Sequence, residues 1–160
     1  MTRIFVVDTS YLLEPYSVPG FSDRTFSTRL RERMAGLAGA RFHVPAGCLY
    51  KFCDHISDVT DGNRRRHLAH RIATDVESSI ARARPWLISP SKGLGELAGF
   101  IRAFASDPTR HAVGLTNSDV IEVANALKRK YGSSTDYRVH IWTRNAQLKA
   151  HEPDREPEPL

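Results

Sequence analysis

Four short apolar runs, rich in β-branched and aromatic residues, limit the fold of this chain more than any other feature. They are RIFVV at 3–7, RFHV at 41–44, WLIS at 86–89 and RVHIW at 138–142, of which WLIS fits either a strand or a short connector. Segments with helical periodicity separate them. Strands joined by helices pair in parallel, and a parallel sheet is covered on both faces. The pattern predicts an α/β fold: a three-layer α/β/α sandwich around a mainly parallel sheet of about four to five short strands.

Two of the predicted helices, over about residues 64–84 and 95–105, carry apolar stripes that should face the core. The core-facing residues are Leu68, Ile72, Val76 and Ile80 in the first helix, and Leu97, Phe100, Ile101 and Phe104 in the second. A further helix is predicted to begin within LTNSD at 115–119. Asp119 would then lie in its first turn, where the helix dipole favours a carboxylate.

Length and charge suggest one domain with a polyanionic partner. The chain has 160 residues and a formal net charge of +5, which favours a polyanionic partner, although many basic proteins bind no nucleic acid. No apolar run approaches the roughly 20 residues of a membrane span, and the N-terminal run is too short for a signal peptide. We therefore expect a cytoplasmic protein with no membrane partner. Residues 1–150 are predicted to form the domain, and the acidic, Pro-rich segment 151–160 a tail that is disordered or lies loosely on the surface.

Polar residues follow the first and last predicted strands. Asp8 comes directly after RIFVV, the residues Thr143, Arg144 and Asn145 follow RVHIW, and Asp119 opens the helix before the last strand. In a parallel sheet, ligands bind beyond the carboxyl ends of the strands. We therefore expect these distant residues to converge at one edge of the sheet.

Paired carboxylates at such an edge suit a hard divalent cation. Mg²⁺ and Mn²⁺ take oxygen ligands, usually carboxylates and waters. Asp8 and Asp119 could hold one metal, with Asn145 offering a neutral oxygen, and Ser10 and Thr143 could orient the carboxylates through hydrogen bonds. Such a metal activates water and stabilises the charge that develops on a phosphodiester.

Four runs of this sequence resemble PIN domains, a family that includes the VapC-type toxins of bacterial toxin–antitoxin pairs. They are VVDTSYLL, FHVPAGCLYKF, GLTNSDVIEVANAL and VHIWTRNAQL, which occur in the order and spacing of that family and extend to about residue 150. The resemblance implies a parallel-sheet fold and Mg²⁺- or Mn²⁺-dependent cleavage of single-stranded or structured RNA by an acidic cluster. For a toxin it also implies an antitoxin protein as partner and a homodimer.

This chain departs from the PIN pattern at two of its four acidic positions. Lys51 stands where the family usually has a Glu after the second strand, and Asn145 replaces an Asp. Asp54 and Glu122 each lie three residues beyond a family position, on the same helical face, and are candidate substitute ligands. Lys51 and Arg144, together with Arg64, Arg65 and Arg66, are candidate contacts to RNA phosphates.

Structural interpretations of the same residues stay open. Asp8 could only cap a helix, Asp119 could only complement a helix dipole, and Asn145 could only cap the last helix. The arginine run is also typical of a solvated helix face.

Two functions follow from these alternatives. The first is a PIN-like metal-dependent ribonuclease. The second is a catalytically degenerate PIN-like domain that binds RNA or protein, in which Lys51 replaces the metal by pairing with Asp8 or Asp119. A phosphate-binding domain of another kind is disfavoured, because DTSYLLEP after the first strand contains no glycine.

Overall fold

A computed structural model of the chain describes residues 1–132 and 134–160 and shows the predicted α/β/α architecture. Its sheet has four strands, all parallel, in the order β3-β2-β1-β4. The strands are β1 Thr2–Val7, β2 Arg41–Pro45, β3 Leu87–Ser89 and β4 Tyr137–Trp142. The helices are α1 Thr9–Leu12, α2 Arg24–Ala35, α3 Ala46–Ser57, α4 Gly62–Arg82, α5 Leu94–Ser106, α6 Pro108–Val113, α7 Leu115–Tyr131 and α8 Ala146–Lys149. The prediction of fold class is confirmed, and WLIS contributes a strand.

The central strand β1 explains why its sequence is apolar without alternation. Ile4, Phe5 and Val6 are completely buried, because helices cover both faces of the sheet. Ile4 lies opposite Arg41 of β2 on one side and Val139 of β4 on the other. Phe5 packs its ring 4.3 Å from the ring of Trp142. A β-branched and aromatic strand therefore forms the middle of the core.

The apolar stripe of α4 faces the core along only part of its length. Leu68 and Ile72 are buried and Val76 packs against the core, but Ile80 is 75% exposed, so its prediction was wrong. In the last turn of α4 the buried residue is Ser79, whose hydroxyl accepts from the backbone N–H of Trp86 at 3.3 Å. Ile80 follows Ser79 by one residue, about 100° further around the helix, and faces solvent.

Helix α5 also differs from its predicted packing. Phe100 is buried, but Leu97 and Ile101 are exposed. The reason is that α5 packs mainly on the short helix α6 instead of on the sheet, and α6 in turn packs on α7. Within the described residues, no helix combines the length and apolar character needed to cross a membrane.

Helix α7 begins earlier than the capping pattern suggested. Gly114, with φ of 89°, is the N-cap, and Leu115 is the first helical residue. Asp119 is therefore the fifth residue of the helix, in its second turn, where it does not meet the free N–H groups of the helix start. The prediction that Asp119 lies in the first turn was wrong.

Residues 151–160 differ from the predicted loose tail, because they cover the free edge of β4. Asp154 accepts a hydrogen bond from the backbone N–H of Val139 at 2.8 Å and donates its own N–H to the Val139 carbonyl at 3.0 Å. Glu156 is only 3% exposed and accepts from Lys149 Nζ at 2.8 Å, Arg33 Nη2 at 2.8 Å and Trp142 Nε1 at 3.2 Å. Composition did not reveal this packing, because the basic partners lie elsewhere in the chain.

The buried Glu156 cluster makes a prediction about stability. Glu156→Gln should lower the free energy of unfolding by about 2 kcal/mol, because Arg33 and Lys149 lose a charge that they share inside the protein. Glu158→Gln, at an exposed carboxylate 3.9 Å from Arg33, is the matched control and should change it by less than ~0.5 kcal/mol. Urea denaturation measures both. Equal stability of the two variants would contradict the assignment.

The same cluster predicts a pH dependence. Although burial acts against it, hydrogen bonds and charge pairing with Lys149 hold the pKa of Glu156 below its ordinary value of 4.5. A lowered folded-state pKa means that this stabilisation is fully present above pH 4.5 and is lost as the pH falls through the folded-state pKa. Urea midpoints measured from pH 7 to pH 3 should therefore fall more steeply for the wild type than for Glu156→Gln.

Candidate functional site

Asp8 is held at the carboxyl edge of the sheet by the end of β4 and by Ser10, two residues further along its own segment. Its backbone N–H donates to the Trp142 carbonyl at 2.9 Å, which continues the β1–β4 pairing. Its Oδ2 accepts from the hydroxyls of Ser10 and Thr143, each at 2.9 Å. The carboxylate is 4% exposed, and its Oδ1 has no hydrogen-bond partner among the described residues. One oxygen is therefore fixed and the other is left free. The alternative in which Asp8 caps α1 receives no support, because its side chain makes no capping bond there.

Asp119 reaches the same edge from α7. It is 7% exposed, and its Oδ1 also lacks a hydrogen-bond partner in the described part of the chain. Its Oδ2 lies so close to α3 that a Cβ added to Gly47 would stand 3.8 Å from it. Burial raises the pKa of Asp119; Lys92 opposes this shift and the neighbouring Glu122 adds to it. The buried surroundings of Asp119 therefore disfavour its charged form.

The first turn of α3 brings the two carboxylates into one neighbourhood. Burial raises the pKa of the Cys48 thiol, and the negative charges of Asp8 and Asp119 both raise it further. Thr9, the residue after Asp8, donates its hydroxyl to the Cys48 carbonyl at 3.1 Å. Asp8 and Asp119 therefore both lie near the start of α3, where it follows β2 directly.

Lys92, which the sequence analysis did not consider, places a positive charge beside Asp119. Lys92 Nζ lies 3.4 Å from Asp119 Oδ1, without the geometry of a hydrogen bond, and 3.2 Å from Glu122 Oε2. Burial lowers the pKa of Lys92, but pairing with Glu122 and Asp119 outweighs this and raises it. Lys92 follows β3 by three residues. The rule that selected Asp8 and Thr143, a polar residue just beyond a strand, could also have found Lys92.

Glu122, a candidate ligand, is already neutralised. It accepts from Arg110 Nη1 at 2.8 Å in addition to its contact with Lys92. Burial raises its pKa, but Arg110 and Lys92 more than offset this and hold it below the usual value. Glu122 therefore serves as an anchor for two basic side chains next to Asp119.

Asn145 caps the last helix. Its Oδ1 accepts from the backbone N–H groups of Gln147 at 2.9 Å and Leu148 at 3.1 Å. An amide oxygen has two lone pairs, so these bonds use its full acceptor capacity. The backbone N–H of Asn145 donates to Thr143 Oγ1 at 3.0 Å and so helps to position the hydroxyl that donates to Asp8. The structure thus supports the capping alternative for Asn145 over ligation through Oδ1.

Lys51 and Asp54 lie at the rim of an open cleft of about 410 Å³ that leads to Asp119. Both side chains are exposed on α3. Within the described residues Lys51 forms no ion pair, so the predicted pairing with Asp8 or Asp119 is absent and Lys92 takes that position at Asp119 instead. The exposed face of the cleft also contains Tyr50, Leu97 and Leu115.

The other predicted phosphate contacts are partly used inside the protein. Arg144 donates to the buried carboxylate of Glu14 at 3.0 Å. Arg64 donates to the Tyr16 carbonyl at 3.1 Å, and Arg65 to that of Val59 at 2.7 Å. Arg66 is exposed on α4. Of these residues, Lys51 and Arg66 are the ones whose side chains extend freely toward solvent.

The described residues offer few side chains that could bind a metal ion. No group of three or more His, Cys, Asp or Glu side chains suited to a metal ion occurs in residues 1–132 and 134–160.

Comparison of the chain with protein-family models, curated proteins and solved structures found no match. The likeness to PIN domains therefore rests on the four sequence runs alone.

The role of Asn145 can be tested by two substitutions. Asn145→Ala should lower the free energy of unfolding by about 1 kcal/mol, because α8 loses its cap. Asn145→Asp keeps a capping oxygen and should change it by less than ~0.5 kcal/mol. Urea denaturation measures both values. If Asn145→Ala is as stable as the wild type, the capping assignment is wrong.

Proposed function

We propose that this protein is a PIN-like ribonuclease that cleaves RNA phosphodiester bonds with Mg²⁺ or Mn²⁺ held by Asp8 and Asp119. The observation that carries the proposal is the presence of two buried carboxylates at the carboxyl edge of a parallel sheet, each with one oxygen that has no hydrogen-bond partner in the described residues. Buried charges are expensive unless they are paired or bind a metal. A divalent cation between them would offset that cost.

The donor chemistry fits Mg²⁺ or Mn²⁺. Mg²⁺ in particular usually binds through one or two carboxylates and keeps several waters, so the absence of a third acidic ligand among the described residues is compatible with it. Zinc would favour His or Cys, and Cys48 is a poor ligand because burial raises the pKa of its thiol. When bound, the metal supplies an activated water and stabilises charge on the phosphodiester.

Each of the neighbouring residues has a defined task in this proposal. Ser10 and Thr143 lock Oδ2 of Asp8, which leaves Oδ1 directed for ligation. Lys51, exposed at the cleft rim, and Arg66, on α4, would attract the RNA backbone. This agrees with the net charge of +5. A toxin role in the cytoplasm, with an antitoxin protein and a homodimer, follows from the PIN resemblance alone and stays a prediction.

The alternative function is a catalytically degenerate PIN-like domain that binds RNA or protein. The contact of Lys92 Nζ with Asp119 Oδ1 at 3.4 Å favours it, because an ammonium group can serve as a permanent counter-ion where a metal would bind. In that case Glu122 and Arg110 complete a neutral cluster of four side chains.

Substitution of Asp8 tests the ribonuclease proposal. Asp8→Asn should reduce Mn²⁺-dependent cleavage of a mixed pool of RNAs by at least about 100-fold, because it removes one of two metal-binding charges. Asp58→Asn changes an exposed acid at the end of α3 and serves as the control with unchanged cleavage. Cleavage is followed on denaturing gels. Equal cleavage by the wild type and Asp8→Asn would refute the proposal.

Thermal melting separates the two functions. For a ribonuclease, Mn²⁺ at about 100 times its Kd should raise the free energy of unfolding by about 2.7 kcal/mol. This rise should vanish in Asp8→Asn and persist in Asn145→Ala. An unchanged melting temperature in the wild type, together with RNA binding that weakens with salt, would favour the binding module.

A further inference from the structure

We propose that Lys92 is the resident cation of the acidic site, and that a divalent metal binds by displacing its ammonium group from Asp119. The inference rests on the proposed metal site and adds a competitor that belongs to the chain itself. It predicts that metal affinity is limited by Lys92 more than by the number of acidic ligands.

The position of Lys92 is the first support. It extends from the loop beyond β3, at the same sheet edge as Asp8 and Thr143. Its side chain is 23% exposed, and Nζ lies 5.4 Å from the centre of the Phe100 ring. Nζ thus approaches the carboxylate of Asp119 from the cleft side, where an incoming cation would enter.

The unequal bonding of the cluster is the second support. Arg110 Nη1 holds Glu122 at 2.8 Å, whereas Lys92 lies 3.2 Å from Glu122 and 3.4 Å from Asp119. The Lys92 contact leaves Asp119 Oδ1 without a hydrogen bond among the described residues. The ammonium group therefore compensates the charge of Asp119 without satisfying its oxygen, and a cation that coordinates this oxygen directly would bind it better.

Electrostatics makes the two cations mutually exclusive at Asp119. Lys92 and Arg110 already balance Asp119 and Glu122. A divalent ion at Asp119 would stand beside the ammonium group and repel it strongly in a partly buried site. The flexible four-carbon stem lets the lysine head leave while its contact with the Glu122 side remains available.

The chain offers a matched control in Lys51. Both lysines line the same cleft, but Lys51 is exposed and makes no ion pair within the described residues. Removal of either charge changes the net charge of the protein equally. A difference between the two variants therefore reports the local contact of Lys92 with Asp119 and not the overall field.

The experiment measures Mn²⁺ binding without RNA, by titration calorimetry and by the paramagnetic resonance signal of free Mn²⁺. Lys92→Met keeps the apolar stem and should tighten Mn²⁺ binding by at least about tenfold. Lys51→Met should stay within about twofold of the wild type. Lys92→Arg keeps the charge and should bind no more tightly than the wild type. If Lys92→Met does not fold, Lys92→Gln replaces it.

The possible outcomes separate this inference from the proposed function. Tighter binding in Lys92→Met but not in Lys51→Met supports the displacement. If the wild type binds Mn²⁺ and Lys92→Met binds it equally or more weakly, the displacement is overturned and the metal site stands. The same conclusion follows if Lys51→Met tightens Mn²⁺ binding as much as Lys92→Met does. Failure of the wild type and of Lys92→Met to bind Mn²⁺ overturns both.

Discussion

Parallel pairing of β1 with strands on both sides is the constraint on which the rest of the structure depends. Because β2 and β4 run in the same direction as β1, the chain leaves all three at one edge of the sheet. Asp8, the start of α3 and Thr143 meet at this edge although they are far apart in the sequence. The hydrogen bonds from Ser10 and Thr143 to Asp8 exist only because that pairing register places them together.

Two carboxylates, of a kind that protein interiors usually exclude, are buried at the carboxyl edge of the sheet. Asp8 and Asp119 are buried, each with one oxygen that lacks a hydrogen bond among the described residues, and Lys92 offers only partial compensation to Asp119. Such an arrangement stores free energy that a bound cation can release. The same arrangement, with the lysine retained, becomes a stable neutral cluster. Under the proposed function, activity would depend on the competition between Lys92 and a divalent cation for Asp119.

Several elements were predictable because their signals are local. Apolar runs of β-branched residues identify strands, and Gly114 could have marked the start of α7. Ile80 and the segment 151–160 were not predictable in this way. The exposure of Ile80 depends on Ser79 being the residue that α4 turns toward the start of β3, and the burial of Glu156 depends on Arg33 and Lys149 meeting it from distant parts of the chain.

By itself the sequence determined the fold class, the end of each main strand and the placement of Asp8 just beyond β1, because periodicity and strand termination are properties of neighbouring residues. Only the tertiary structure decided which polar atoms are satisfied. Asn145 is used as a helix cap, Glu122 is neutralised by Arg110, and Lys92 stands beside Asp119. Hydrogen bonds and ion pairs between residues far apart in sequence depend on distances that only packing defines, so no spacing rule could assign them.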